Sequence, residues 1–187
     1  MTRRAPFHPI TAEFYRKLPE GPPYYQLIEG CLIMSPSPNF YHQKLVGRLY
    51  HFIETYLEVH PLGELVIAPS DVFLDDTNVF QPDLYFVQSL NRRIIVKEGV
   101  CGAPDLVVEI LSPSNIEDDR DKKRSAYASA GVKEMWIIDP EARQIEIYPL
   151  AQGLDVAPAI IGEPDAFLPA MFPGLTIETT RLFKPLP

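Results

Sequence analysis

PDLVVEIL, residues 104–111, is the stretch on which the reading of this chain turns. It is almost continuously apolar and rich in β-branched residues, the pattern of a central strand covered on both faces. One residue interrupts it. Glu109 puts a carboxylate in the middle of a buried strand, where leaving it bare costs on the order of several kcal/mol. It must be neutralised, hydrogen-bonded or bound to a cation. A core ion pair with Arg or Lys and a functional site are both compatible with the residue alone.

C-terminal to this strand, SPSN (112–115) breaks the pattern and offers Ser114 or Asn115 as a helix cap. IEDDRDKKRSAYASAG (116–131) reads as a helix with an acidic first turn, suited to the positive end of the helix dipole, and with Gly131 as a left-handed stop. EMWIID (134–139) and QIEIYPL (144–150) read as strands around a turn at Pro140. In the tail, FPGLTIE is followed by TRLF, read as a last edge strand.

N-terminal to the strand, PDLYFV (82–87) is a second strand opened by Asp83, and Arg92 to Gly99 is a loop carrying a short element. ELVIAP and DVFLDD (64–76) are short strands. Residues 38–59 form the longest helix, with Leu45, Leu49, Phe52, Ile53, Tyr56 and Leu57 on one apolar face and Gly63 closing the unit. YYQLIEG and CLIMSP (24–36) pair as a hairpin turning at Glu29-Gly30, and residues 11–19 are a short helix capped by Thr11 and stopped near Pro19. Strands and helices in this order predict an α/β or α+β fold, a mixed β-sheet flanked by helices.

The 187 residues suit one domain, and no apolar run is long enough to cross a membrane. Cys31 and Cys101 are too few for a disulfide framework or a four-cysteine zinc site, and no apolar segment follows the N-terminal arginines, so a reduced, cytoplasmic setting is expected. The formal net charge of -8 opposes a broad grip on nucleic acid, which needs Lys and Arg against phosphate. Two local basic groups counter it: Arg92, Arg93 and Lys97, then Arg120, Lys122, Lys123 and Arg124. The 20 prolines punctuate the chain into many short elements joined by tight turns.

Asp83 alone is an ordinary strand-start residue beside proline, and so is Asp105. Asp83 and Glu109 together would make an oxygen-rich pocket suited to Mg²⁺, and without the ion the two carboxylates are expected to repel. Lys123 lies between Asp119 and Tyr127 at helical spacing. It is either half of a surface pair with Asp119 or a cation reaching toward the Glu109 strand.

Pro82-Asp83, then Glu109, then a nearby lysine resembles the PD-(D/E)XK nuclease signature. Over residues 24–178 the chain resembles more closely the Uma-type family of restriction-endonuclease-like proteins, through YYQLIEGCLIMSPSPNFYHQ, QPDLYFV, APDLVVEILSPS, DRDKKRSAYASAGVKEMWIIDP and FPGLTIE. The resemblance implies a restriction-endonuclease-like core over about 37–150, with the N-terminal helix and hairpin (11–36) before it and an extension (151–187) after it. It implies Asp83 and Glu109 as metal ligands, with the main-chain carbonyl of Ile110 beside them. There is one departure. The superfamily lysine lies two residues after the glutamate, where this chain has Leu111, and Lys123 on the following helix takes its place.

Further residues match the family, with Trp136 and Asp139 among them as core and turn residues. Glu29 is an additional acidic member of the site or a turn residue. His42 points toward the core side of its helix, as a packing residue or a site residue. Tyr127 orients Lys123 or packs. The function so implied is a metal-dependent endonuclease hydrolysing phosphodiester bonds in DNA, using Mg²⁺ or Mn²⁺, with a homodimer expected by analogy. The rival is a catalytically weak or inactive module of the same fold, binding nucleic acid or a protein partner. A weaker third reading is a hydrolase for small phosphoesters.

Overall fold

The structure is a computed structural model that describes residues 9–35, 37–112 and 117–186, the side chains of 117–120 excepted. In chain order the elements are α1 (Ala12–Tyr15), β1 (Tyr25–Ile28), β2 (Cys31–Met34), α2 (Phe40–Leu57), β3 (Gly63–Ile67), β4 (Asp71–Phe73), β5 (Val79–Phe80) and β6 (Leu84–Gln88). A 3-10 turn (Ser89–Ile94) leads to β7 (Ile95–Val96), β8 (Gly99–Cys101), β9 (Leu106–Ile110), α3 (Glu117–Ala130), β10 (Glu134–Asp139) and β11 (Gln144–Tyr148). A second 3-10 turn (Leu150–Gln152) precedes β12 (Ala159–Gly162), β13 (Ala166–Phe167), β14 (Ile177–Glu178) and α4 (Thr179–Leu182).

The central sheet has the order β12-β11-β10-β9-β6-β3. β9 and β10 are parallel and its other neighbours antiparallel, so the sheet is mixed. Every residue of β9 is buried, and the two-residue period of a strand divides them between two layers. Leu106, Val108 and Ile110 meet the apolar face of α2, formed by Leu45, Val46, Leu49 and Ile53. Val107 meets Tyr127 of α3 on the opposite face, together with Tyr85, Val87 and Ile137. A second sheet, β2-β1-β5-β4-β8-β7, adds Ile28, Val72, Phe80 and Val100 to that second layer. Glu109 belongs to the α3 side by the same alternation.

The termini of the elements follow local chemistry. Asn39 caps α2 by accepting the His42 N–H at 2.8 Å. The chain leaves α3 through Gly131 at φ 99°, the left-handed conformation expected from the sequence. Gly63 does not close the α2 unit; it starts β3, where a Cβ would collide with the Val87 carbonyl. TRLF is not an edge strand. Thr179–Leu182 form α4, and the Leu182 and Phe183 side chains are fully buried. The carbonyls of this turn accept from Arg48 and Tyr41 of α2, which satisfies the backbone without a strand partner. The N-terminal helix is also shorter than 11–19: Tyr15 sends its hydroxyl to the Tyr25 carbonyl and Asp71, and the helix ends there. Ser114 and Asn115 lie outside the described residues. No helix among the described residues is long and apolar enough to cross a membrane.

Candidate active site

β6 and β9 are antiparallel, with Leu84 opposite Val108. The same register carried one residue outward sets Asp83 opposite Glu109, and directly opposed residues send their side chains off one face of a sheet. This is how two carboxylates 26 positions apart in sequence come together. The segment before Asp83 is tied down: the Gln81 side chain donates to Asp71 at 2.8 Å, and its main-chain N–H donates to Gln26 Oε1 at 3.3 Å.

Asp83 Oδ2 accepts the Ile110 N–H at 2.7 Å and lies 3.2 Å from His42 Nε2. His42 stands in the first turns of α2, which brings it over the ends of β6 and β9. Burial works against its charged form. The hydrogen bond and charge of Asp83, aided by the Ile110 carbonyl and the charge of Glu109, outweigh it and raise the imidazole above its ordinary pKa. The buried Nδ1 has no hydrogen-bond partner among the described residues.

Glu109 is met from α3. Lys123 Nζ lies 3.2 Å from Oε1 and 3.3 Å from Oε2, and the Tyr127 hydroxyl donates to Oε1 at 2.8 Å. Both partners of the ion pair are almost wholly enclosed. Burial pushes the Glu109 carboxyl up. Lys123 opposes that shift, the nearby Asp83 charge adds to it, and the hydrogen bonds from Tyr127 and Lys123 oppose it; the net direction is upward. Phe80 completes the wall, edge-on to Tyr127 at 5.1 Å and 5.9 Å from Lys123 Nζ.

The structure thus gathers Asp83, Glu109, Ile110, Lys123, Tyr127 and His42. Tyr127 packs against Phe80 and donates to Glu109, where the sequence had it either orienting Lys123 or packing. The expected repulsion between bare carboxylates is relieved by Lys123 on Glu109 and by His42 and the Ile110 N–H on Asp83. Glu29 is not brought in. Its side chain is exposed in the β1–β2 turn at φ 50°, and its N–H donates to Asn78 Oδ1. Asp105 sits at the far end of β9, buried, paired with Lys133 at 2.7 Å and accepting the Gln88 N–H. Phe80, Gln81 and Asp71 were not foreseen. β5 has two residues, too few for a strand to show a period. A separate surface hollow of about 280 Å³, lined by His51, Phe52, Thr55, Tyr56 and Arg181 among others, shares no residue with this site.

No group of three or more His, Cys, Asp and Glu side chains among the described residues is arranged to hold a metal ion. Mg²⁺ does not need one, since it takes one or two carboxylates and completes its shell with water and substrate oxygens. The donor set here is of that kind: two opposed carboxylates beside a main-chain carbonyl. The pocket already accommodates positive charge, because the Lys123 ammonium spans both oxygens of Glu109. The residues therefore fit a hard divalent cation.

Residues 12–180 match Uma2, a family described as "Putative restriction endonuclease". The chain belongs to the Uma2 family. Its fold is similar to that of "a putative nuclease belonging to DUF820 from Anabaena variabilis ATCC 29413", with a TM-score of 0.79 at 23% sequence identity, over 94% of this chain and 98% of that one. At that identity the likeness is one of fold, and the Uma2 chain has a nuclease-like architecture. No curated protein matches it.

Proposed function

We propose that this Uma2 chain is a divalent-cation-dependent endonuclease that hydrolyses phosphodiester bonds in DNA. The observation that carries the reading is the pair of opposed carboxylates at the ends of β6 and β9, Glu109 enclosed and Asp83 half-buried, with an ammonium beside Glu109. Asp83, Glu109 and the Ile110 carbonyl would hold Mg²⁺ or Mn²⁺. When bound, the cation supplies positive charge against the phosphate and makes water more acidic.

The chain's own residues do the rest. The Ile110 N–H and His42 fix Asp83 in one orientation, and Tyr127 fixes Glu109. Lys123 supplies a positive charge to the phosphate oxygens as they gain negative charge. Its entry from α3, instead of from the position of Leu111, still brings it to Glu109. Arg92, Arg93, Lys97 and Lys122 are exposed and supply local contacts for the DNA backbone in an acidic chain. Cutting both strands of a duplex is served by two sites, so a homodimer is part of the proposal.

Plasmid DNA incubated with saturating Mg²⁺ or Mn²⁺ tests it. Wild-type protein is expected to nick or linearise the DNA, and Asp83→Asn and Glu109→Gln to abolish cleavage. Cleavage by either variant at the wild-type rate would end the assignment. The net charge of -8 favours a second reading, a non-catalytic module of the same fold. Cation binding with no turnover of DNA or RNA is the outcome that selects it.

A further inference from the structure

We propose that Lys123 is a resident stand-in for the divalent cation: its ammonium neutralises Glu109 in the cation-free protein and leaves that carboxylate when the cation binds. The inference rests on the cation site proposed above and adds an exchange to it. Nζ is almost equidistant from the two oxygens of Glu109, at 3.2 and 3.3 Å, so the ammonium occupies the bidentate side of the carboxylate. Oε1 also accepts from Tyr127, so both oxygens are engaged. A cation that ligates Glu109 must therefore displace a contact already present.

The two contacts differ in what they tolerate. A hydroxyl can keep donating to a carboxylate oxygen that also ligates a metal, and Tyr127 is fully buried against Phe80, which holds it in place. An ammonium cannot share the carboxylate with a divalent charge without strong repulsion in an enclosed site. Lys123 is also the partner able to move. Its four-carbon stem reorients without any shift of α3. No other cation among the described residues stands on Glu109: Arg124 pairs with Asp121 and packs over Tyr148, and His42 is engaged by Asp83. The displaced ammonium is then available to a phosphate oxygen. Cation loading and the readiness of Lys123 become one event.

Two measurements on substrate-free protein test this. In the first, Mn²⁺ is titrated calorimetrically into wild type and Lys123→Met. The variant is expected to bind at least tenfold more tightly, because no ammonium competes. Equal or weaker binding by the variant overturns the exchange while leaving the cation site standing. Absence of Mn²⁺ binding by both proteins overturns the cation site and the exchange together. The second uses wild type alone and does not depend on the variant folding. Lysine acetylation by acetic anhydride is followed residue by residue by mass spectrometry, with exposed Lys44, Lys97 and Lys122 as internal references. Acetylation of Lys123 is expected to rise several-fold on addition of Mn²⁺ while the references hold constant. An unchanged or reduced rate at Lys123 in protein that binds Mn²⁺ overturns the exchange.

Discussion

The Tyr127 hydroxyl donates a 2.8 Å hydrogen bond to Glu109 Oε1 from one helical turn beyond Lys123, so one face of α3 supplies both groups that hold this carboxylate. Tyr127→Phe removes the donor and keeps the ring against Phe80. A net hydrogen bond is worth about 1–1.5 kcal/mol, which corresponds to roughly a tenfold loss in kcat for cleavage if the bond serves the reaction. The circular dichroism spectrum should stay that of wild type. An unchanged kcat would show that the strand and the bound cation suffice to position Glu109.

The Lys123–Glu109 pair is enclosed, so removing one partner strands the other. Glu109→Gln or Lys123→Met should each cost about 3–5 kcal/mol of stability without added cation. The double variant Glu109→Gln with Lys123→Met should recover most of that loss, because no lone charge is left. Urea denaturation of the four proteins measures it. Simple additivity of the two single losses would mean that the groups do not depend on one another.

Asn39 links helix capping to the site, since its Oδ1 accepts the main-chain N–H of His42 at 2.8 Å. Asn39→Ala should cost about 1 kcal/mol, and Asn39→Ser much less, because serine also caps. Thermal melts compare the three proteins. Equal losses for Ala and Ser would show that the cap does not anchor the start of α2.

Glu134 gives a pH signature remote from the site. Burial raises its carboxyl above the ordinary value, and the Trp136 indole N–H, donating at 2.6 Å, offsets that only in part. A raised folded-state pKa means the native protein holds this proton more tightly than the unfolded chain. The stabilisation is complete below the unfolded pKa and is lost as pH rises through the folded value. Glu134→Gln keeps an acceptor for the indole and removes the titration. Its Tm relative to wild type should therefore improve as pH rises above the ordinary carboxylate range and through the raised folded value. A difference in Tm that does not vary with pH would contradict the raised value.

The fold was legible where patterning is strong. PDLVVEIL reads as a buried central strand and is one, with every residue of Leu106–Ile110 buried. The long helix, the hairpin at Glu29-Gly30 and the stop at Gly131 follow from spacing and turn chemistry alone. The elements that escaped are those made by pairing instead of periodicity, such as β5 and β13 with two residues each. TRLF misled for a related reason: its apolar residues are buried by a helical turn whose carbonyls are satisfied by Arg48 and Tyr41, partners remote in sequence. At the site, residue types suggested Asp83, Glu109 and Lys123. The register that opposes the carboxylates and the seat of the ammonium on both Glu109 oxygens are tertiary facts. Glu29 shows the limit of reading from matched motifs, since the fold leaves its side chain in solvent.

Crystals soaked in Mn²⁺ give the most direct test of the cation site. The account predicts an anomalous peak between the Asp83 and Glu109 carboxylates, next to the Ile110 carbonyl, with Lys123 Nζ withdrawn from Glu109. A fully soaked crystal with no peak there, or with its strong peak on other residues, would contradict it.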